Sequence, residues 1–361
     1  MKSKNLILII GNGFDLSHKL KTSYSDFSNY LIDNEISSSI LNFRKDKENS
    51  ILSKNFIKIL TENNFGSPEG SLIQQFTFYI SQQDQQKIRT ILKNHSQYIK
   101  EIIHNNFLGK LYNNEYDNWF EIENAFFKEL VEIHKKSIPL NEKIAEIEIL
   151  NSELINIKNY LFQYLKTIKT TLNNEVSRFF RNEFFRERDH LYIINFNYTT
   201  TIEHYITEDN INSKTKINYI HGDIDSPEII FGYGNDKHEK YIELKNSGTN
   251  EYLRFFKTFE YLNHRNYSDI YEQALDYFQD YEVAIIGHSL SETDKTLLKE
   301  ILDNSKCKKI HLYKRKDLVN DIKQTQEEFN KLIYSTSRII DNEKDLRTKV
   351  LNSSESKSFP N

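Results

Sequence analysis

Cysteine is nearly missing from this sequence. Cys307 is the only one among 361 residues, so no disulfide closes within the chain and no multi-cysteine zinc site forms. Glycine is scarce at ten and proline scarcer at four. An excess of either charge is also absent, since 48 Lys and Arg face 52 Asp and Glu, for a formal net charge of -4. A dedicated duplex-DNA binder needs a basic face, and none is evident here. No apolar run approaches the roughly 18 residues that span a bilayer. The run Asn5 to Ile10 is too short for a signal-peptide core, and a glycine turn follows it. The expectation is a soluble, cytoplasmic protein with no membrane partner. What the chain does have is aromatic mass: 24 Phe and 22 Tyr, within 38% hydrophobic residues, are enough for a real interior. The length suits one large domain or two ordinary ones.

Six of the ten glycines, Gly11, Gly13, Gly222, Gly232, Gly234 and Gly287, lie at or near the ends of β-like apolar runs. The runs are Asn5–Ile10, Leu191–Phe196, Ile217–Ile220, Ile229–Phe231 and Val283–Ile286, with a sixth, Lys309–Tyr313, that has no glycine. They are short, mostly Ile-rich and not cleanly alternating, as strands buried on both faces should be. Helical patterns separate several of them. This predicts an α/β fold, a Rossmann-like parallel sheet flanked by helices. Ligands bind such sheets at the carboxyl ends of the strands, where Gly, Asn and His cluster here.

From residue 29 to 185 no comparable strand occurs, and the stretch reads as a large inserted helical domain. Its clearest part is Ile144, Ile147, Leu150, Leu154, Ile157, Leu161, Leu165, Ile168 and Leu172, spaced by three and four. That is one apolar stripe on a long helix, packed within its own domain or, alternatively, forming an oligomer seam. The expected organisation is a discontinuous core of residues 1–28 and 186–316, the insertion 29–185, and a C-terminal helix and flexible tail over 317–361. The last eleven residues, Leu351 to Asn361, are Ser-rich and expected to fray.

Five motifs carry the candidate chemistry. In Gly11-Asn12-Gly13-Phe14-Asp15 a strand, Gly-x-Gly and a helical pattern form the arrangement that cradles a pyrophosphate, although a plain tight turn explains it too, with Asp15 as an N-cap. Thr22 to Phe27 is a polar loop with aromatics that could fold over a ligand. Asn195 and Asn197 flank Phe196 at a strand end, where an amide can position a sugar hydroxyl or a water without titrating. His221-Gly222 ends the next run, and a histidine there is placed to act as a general base. Phe231-Gly232-Tyr233-Gly234 follows. In Gly287-His288-Ser289-Leu290-Ser291, Ser289 and the backbone near Gly287 could bind phosphate or ribose, while Ser291 and Asp294 could instead form a variant capping box. Glu123, on the insertion, reads as a solvated helical carboxylate before it reads as a site residue.

The order of these motifs resembles the sirtuin family of NAD-dependent enzymes and the looser sirtuin-like NAD hydrolases of bacterial antiphage defence. Gly11 and Gly13 match that family's first phosphate turn, and Asp26-Phe27 its flexible cofactor loop, with Ser28 where the family has Arg. Asn197 matches the Asn at the nicotinamide ribose, with Thr199 in place of the family's following Asp. His221-Gly222 matches the catalytic His-Gly, while Phe231-Gly232 and Gly287-His288-Ser289-Leu290 match the later cofactor-side motifs. The resemblance covers residues 1–28 and about 186–300. The whole chain also resembles the AbiH family of phage abortive-infection proteins. Ile10 to His18, Tyr24-Ser25-Asp26-Phe27, Asn118 to Glu123 with the single Trp, and Gly287 to Leu290 with Asp294 carry that likeness.

The sirtuin-like likeness implies NAD as substrate, with Asn197 and His221 catalytic. Gly11, Asn12, Gly13, Phe14, Asp15, Asp26, Phe27, Asn195, Gly222, Gly232, Gly287, Ser289 and Asp294 would hold the nucleotide. No metal is expected. Sirtuin deacylases carry a four-Cys zinc ribbon between His-Gly and Phe-Gly. Here eight residues, Asp223 to Ile230, fill that interval and none is Cys. Loss of that ribbon while Asn and His remain favours hydrolysis by water over acyl-peptide chemistry. The resulting expectation is an antiphage effector that hydrolyses NAD to nicotinamide and ADP-ribose, restrained until infection by the insertion or an oligomeric assembly, with a homo-oligomer or a defence partner protein as the expected partner. A non-catalytic nucleotide sensor signalling through the helical domain is the alternative. A metal-dependent nuclease ranks low, because no acidic or histidine cluster has clear metal-ligand spacing.

Overall fold

The computed structural model describes residues 4–31, 34, 105–113, 116, 118–185, 188–206, 215–226, 229–315 and 322–360. The chain divides into two compact units, one of Met1–Thr22 with Leu165–Asn361 and one of Ser23–Tyr164.

The first unit is built on five parallel strands: β1 (Asn5–Ile10), β2 (His190–Asn195), β3 (Thr215–Tyr219), β4 (Tyr281–Ile286) and β5 (Cys307–Leu312). Their order across the sheet is β3-β2-β1-β4-β5. Successive residues of β1 point to opposite faces, and both faces are apolar. Ile7 and Ile9 join a core with Ile270, Leu275, Leu298 and Ile301 on one side. Leu6, Leu8 and Ile10 join Phe14, Val176, Phe180 and Tyr205 on the other. An α/β sheet covered on both faces therefore results, as the Ile-rich runs predict. The direction of winding reverses between β1 and β4, and this switch point is where such sheets hold ligands.

Five of the six predicted runs are strands, displaced by at most two residues. The sixth is not. Ile229 to Phe231 is buried yet joins no ladder. The Ile230 N–H goes to the His221 carbonyl, and the pairing nearby among the described residues is a single bridge from Tyr233 to Phe256. These three apolar residues ahead of two glycines are buried without taking a place in the sheet.

The expectation of a frayed end also fails. Ser358–Phe359 (β7) pairs with Lys314–Arg315 (β6), and Phe359 is buried against Phe14, Phe179 and Phe180. Ser356 is buried as well, and its hydroxyl donates to the Leu312 carbonyl. One large apolar side chain outweighs the Ser-rich composition around it.

In the second unit the described residues are mainly helical. The stripe predicted from residue 144 lies on the helix Leu140–Leu165, where Ile147, Leu150, Leu154, Ile157 and Leu161 are buried within the chain, which excludes the oligomer-seam alternative for them. Ile168 and Leu172 lie beyond its end. The helix Trp119–Lys135 opens with a capping box, in which the Asn118 N–H donates to Glu121 Oε2 at 2.8 Å. Glu123, expected at the surface, is buried on this helix at 5% exposure. Residues 35–104, with Gly66 and Gly70, lie outside the described residues. No helix among the described residues is long and apolar enough to cross a membrane.

Candidate functional site

The turn after β1 and the loop after β4 meet at the switch point. Gly11 N–H donates to the Ile286 carbonyl at 3.0 Å, and Gly13 N–H to the Gly287 carbonyl at 2.9 Å. A Cβ on Gly13 would stand 2.6 Å from Gly287 Cα, and one on Gly11 would stand 2.6 Å from His288 Cα. Gly287 has φ +66°, and a Cβ there would stand 2.3 Å from Phe14 N. The glycines are thus required by loop packing on loop. The Phe14 N–H goes to the Gly11 carbonyl. Three amides expected to face a pyrophosphate are therefore committed inside the chain, which corrects the cradle reading at Gly11, Gly13 and Phe14. Asn12 spends its side-chain amide on the Thr22 carbonyl at 3.1 Å. Exposed at this edge are Gly287, whose carbonyl is already taken by Gly13, and Ser289.

Asp15 is not an N-cap. The cap position of the helix Asn12–Ser17 is Gly11, and Asp15 is buried in the first turn. Thr199 Oγ1 donates to its Oδ2 at 2.6 Å, while its Oδ1 is buried with no hydrogen-bond partner among the described residues. Burial pushes the carboxyl up to about 6 despite the Thr199 and Thr201 hydroxyls. Where the sirtuin pattern has an Asp two residues after its Asn, this chain has Thr199, which binds a carboxylate contributed by the β1 turn.

Asn197 uses its side-chain amide to hold the Gly11 carbonyl at 3.1 Å, and Asn195 Oδ1 accepts from the Asn197 N–H at 3.1 Å. Asn195 therefore braces the loop, and its own amide donates to the Thr199 carbonyl. This loop is tied to the one bearing His221, because Ile224 N–H donates to the Tyr198 carbonyl and Tyr198 OH to the Ile230 carbonyl. The Phe196 ring lies between two imidazoles, its centroid 5.2 Å from that of His221 and 4.2 Å from that of His288. Gly222 has φ +78°, which lets the chain turn away immediately after His221.

Both imidazoles converge on Asp294. His221 Nε2 is 3.2 Å from Asp294 Oδ1 and 3.2 Å from Tyr261 OH. His288 Nε2 is 3.8 Å from Asp294 Oδ2. Lys257 Nζ is 2.6 Å from Asp294 Oδ1. All four side chains are at least 90% buried. Leu290, at φ +56°, donates its N–H to His288 Nδ1 at 3.0 Å, so the proton of the neutral ring sits on Nε2, toward Asp294. Burial, with its neighbours' positive charge, lowers His288 to about 4 and lowers His221 as well. Burial alone would raise the Asp294 carboxyl, but the Lys257 ammonium together with His221 and His288 outweighs it and holds that carboxyl far below the usual range. The capping-box reading of Ser291 and Asp294 is corrected by this geometry. Ser291 Oγ is 3.0 Å from Thr293 Oγ1, and Asp294 faces the cluster.

The fold thus gathers Asn197, His221, Gly222, His288, Asp294 and the three switch-point glycines. Asp26 and Phe27 are elements of the second unit. The segment read as a loop is a helix, Tyr24–Tyr30, in which Asp26 closes a capping box on Ser23, and Phe27 is buried against Trp119 and Tyr164. Lys257 was not singled out from the sequence, where Phe256-Lys257-Thr258 has no pattern that marks it. Among the described residues no group of three or more His, Cys, Asp or Glu could hold a metal ion.

No curated protein matches the chain. A family profile described as Bacteriophage abortive infection AbiH matches residues 7–315. That span takes in the glycine turn, the asparagine and histidine loops and the Asp294 cluster, and the chain belongs to the AbiH family.

Proposed function

We propose that this protein serves phage abortive infection by cleaving NAD to nicotinamide and ADP-ribose. The observation that supports this most is the gathering of Asn197 and His221 beyond β2 and β3, with the imidazole backed by Asp294 at 3.2 Å. NAD lies over the exposed edge at Gly287 and Ser289, with its nicotinamide ribose reaching toward Asn197 and His221. The C1′–nitrogen bond breaks and nicotinamide leaves with the bonding electron pair. A water oxygen then bonds to C1′, and its proton passes to His221. An imidazole that is uncharged at neutral pH can accept that proton, and the imidazolium so formed faces a carboxylate. Such a base contributes typically ~10²–10⁴ in rate. Consumption of NAD halts the infected cell's metabolism and with it phage growth.

The test is nicotinamide release from NAD by purified protein. Release that falls at least about 100-fold in His221→Ala supports the assignment. Normal release by that variant, with its fold intact, removes His221 from the mechanism. The burial of Asn197 and His221, at 7% and 6% exposure, favours a second reading in which the site holds a nucleotide without turnover. Saturable NAD binding with no nicotinamide released selects that reading.

A further inference from the structure

The motif Phe231-Gly232-Tyr233-Gly234 has a physical purpose that leads to Lys257. Tyr233 N–H donates to the Phe255 carbonyl at 3.1 Å, and Lys257 N–H donates to the Tyr233 carbonyl at 2.9 Å. A Cβ on Gly232 would stand 2.0 Å from the Phe255 carbonyl oxygen. One on Gly234 would stand 3.2 Å from both Cβ and Cδ of Lys257, and 2.6 Å from the Thr293 carbonyl oxygen. Gly232 lets the chain close on Phe255, and Gly234 leaves the slot along which the Lys257 side chain runs to Asp294. A buried lysine is costly unless it is paired, so a slot built to deliver one calls for a reason.

We propose that Lys257 is a positioning residue of this site, supplying the one fixed positive charge that balances Asp294 so that His221 and His288 both remain uncharged. The geometry carries the argument. Lys257 and His221 share the same oxygen of Asp294, at 2.6 and 3.2 Å, and the lysine is 1% exposed. His288 Nδ1 accepts a backbone N–H, which a doubly protonated ring could not do. One ammonium, one carboxylate and two neutral rings leave the buried cluster with no net charge. Among the described residues, the titratable groups facing His221 are Asp294, Lys257, His288 and Tyr261. Without the ammonium, Asp294 draws its compensating proton onto an imidazole. The lowered titration of both histidines agrees in direction, and Lys257 is among its causes.

This inference rests on the NAD-cleaving reading only for its activity arm. Imidazole titration is followed by NMR of histidine-labelled full-length protein, with His221 and His288 assigned from His→Gln variants. In Lys257→Met one of the two midpoints should rise by about one pH unit or more. In Lys257→Met/Asp294→Asn, which removes both charges, the midpoints should return to the wild-type range. The acid limb of nicotinamide release should move upward in the single variant and return in the double. If Lys257→Met folds and neither imidazole moves, the proposal is wrong. Should the single variant fail to fold, the double variant decides, because midpoints raised there as well overturn the charge-balance role. Midpoints that move as expected while wild-type protein releases no nicotinamide leave Lys257 assigned and fell the hydrolase instead.

Discussion

The two ends of the sheet both bury a carboxylate beside a cation and an imidazole, yet they are built differently. At the amino end, Glu282 of β4 is 3.1 Å from Arg188 and 3.2 Å from His311, both on its Oε2. Its partners outweigh burial and draw the carboxyl down to about 2. At the carboxyl end, one buried carboxyl, Asp15, keeps an oxygen without a hydrogen-bond partner among the described residues and is pushed up to about 6. Another, Asp294, gathers a lysine and two histidines that are held uncharged. The amino end is arranged for the folded state. The carboxyl end keeps unmet hydrogen-bonding capacity and displaced protons, the pattern found where a protein gives up stability to a site.

The sharpest test of that contrast is Arg188→Met. It removes the fixed cation from a buried carboxylate and should cost about 3–5 kcal/mol in urea unfolding at pH 7. Nicotinamide release per folded molecule should stay unchanged, and a matching loss of release would erase the distinction between the two ends.

Asp15→Asn should act with the opposite sign. The folded carboxyl titrates near 6 and its reference value is 3.8, so between these the native state binds more protons. Wild-type stability from this group therefore grows as pH falls from 7 toward 4. The Asn variant should lose that growth and be more stable at pH 7.5 by on the order of 2 kcal/mol. Urea midpoints at pH 7.5, 6 and 5 check it. Lower stability at all three would show that the charge at Asp15 is needed for folding.

A smaller effect is expected from Glu282→Gln as acidity increases. The wild-type carboxyl falls from 4.5 to about 2 on folding, so its contribution is present above 4.5 and is lost as pH drops toward 2. Unfolding curves at pH 5, 4 and 3 should fall more steeply for wild type than for the variant. The smallest effect belongs to Asp189→Ala. Asp189 adjoins Arg188 in sequence, but it pairs with Lys4 at 3.6 Å with both side chains well exposed. A change within about 0.5 kcal/mol is expected, measured by the same urea unfolding.

Much of the fold could be read in advance because strands covered on both faces are Ile-rich whatever lies around them. β1, with Leu6 to Ile10 all buried, is the plainest instance. Ile229 to Phe231 has the same composition and misleads for that reason, since burial and strand pairing are separate demands. His221 and Asn197 were legible as residues just past strand ends, which is where they lie. Lys257 was not, because a buried lysine has no periodicity and its partner is 37 residues away. The available signal was indirect: Gly234 makes room for something, and in the sequence a ligand and a side chain are equally good occupants. The glycines of the β1 turn misled in the same way, since close approach was foreseen and its object was the chain's own β4 loop.

Phe359 packs 5.7 Å from Phe14, ring centre to ring centre, beside the turn that opens the site. During synthesis β1 leaves the ribosome long before β7, so the aromatic box around Phe14 cannot close until β7 has been translated. A nascent chain therefore carries the β1 turn with one wall missing. The order of translation itself makes closure of this aromatic box a late event in folding.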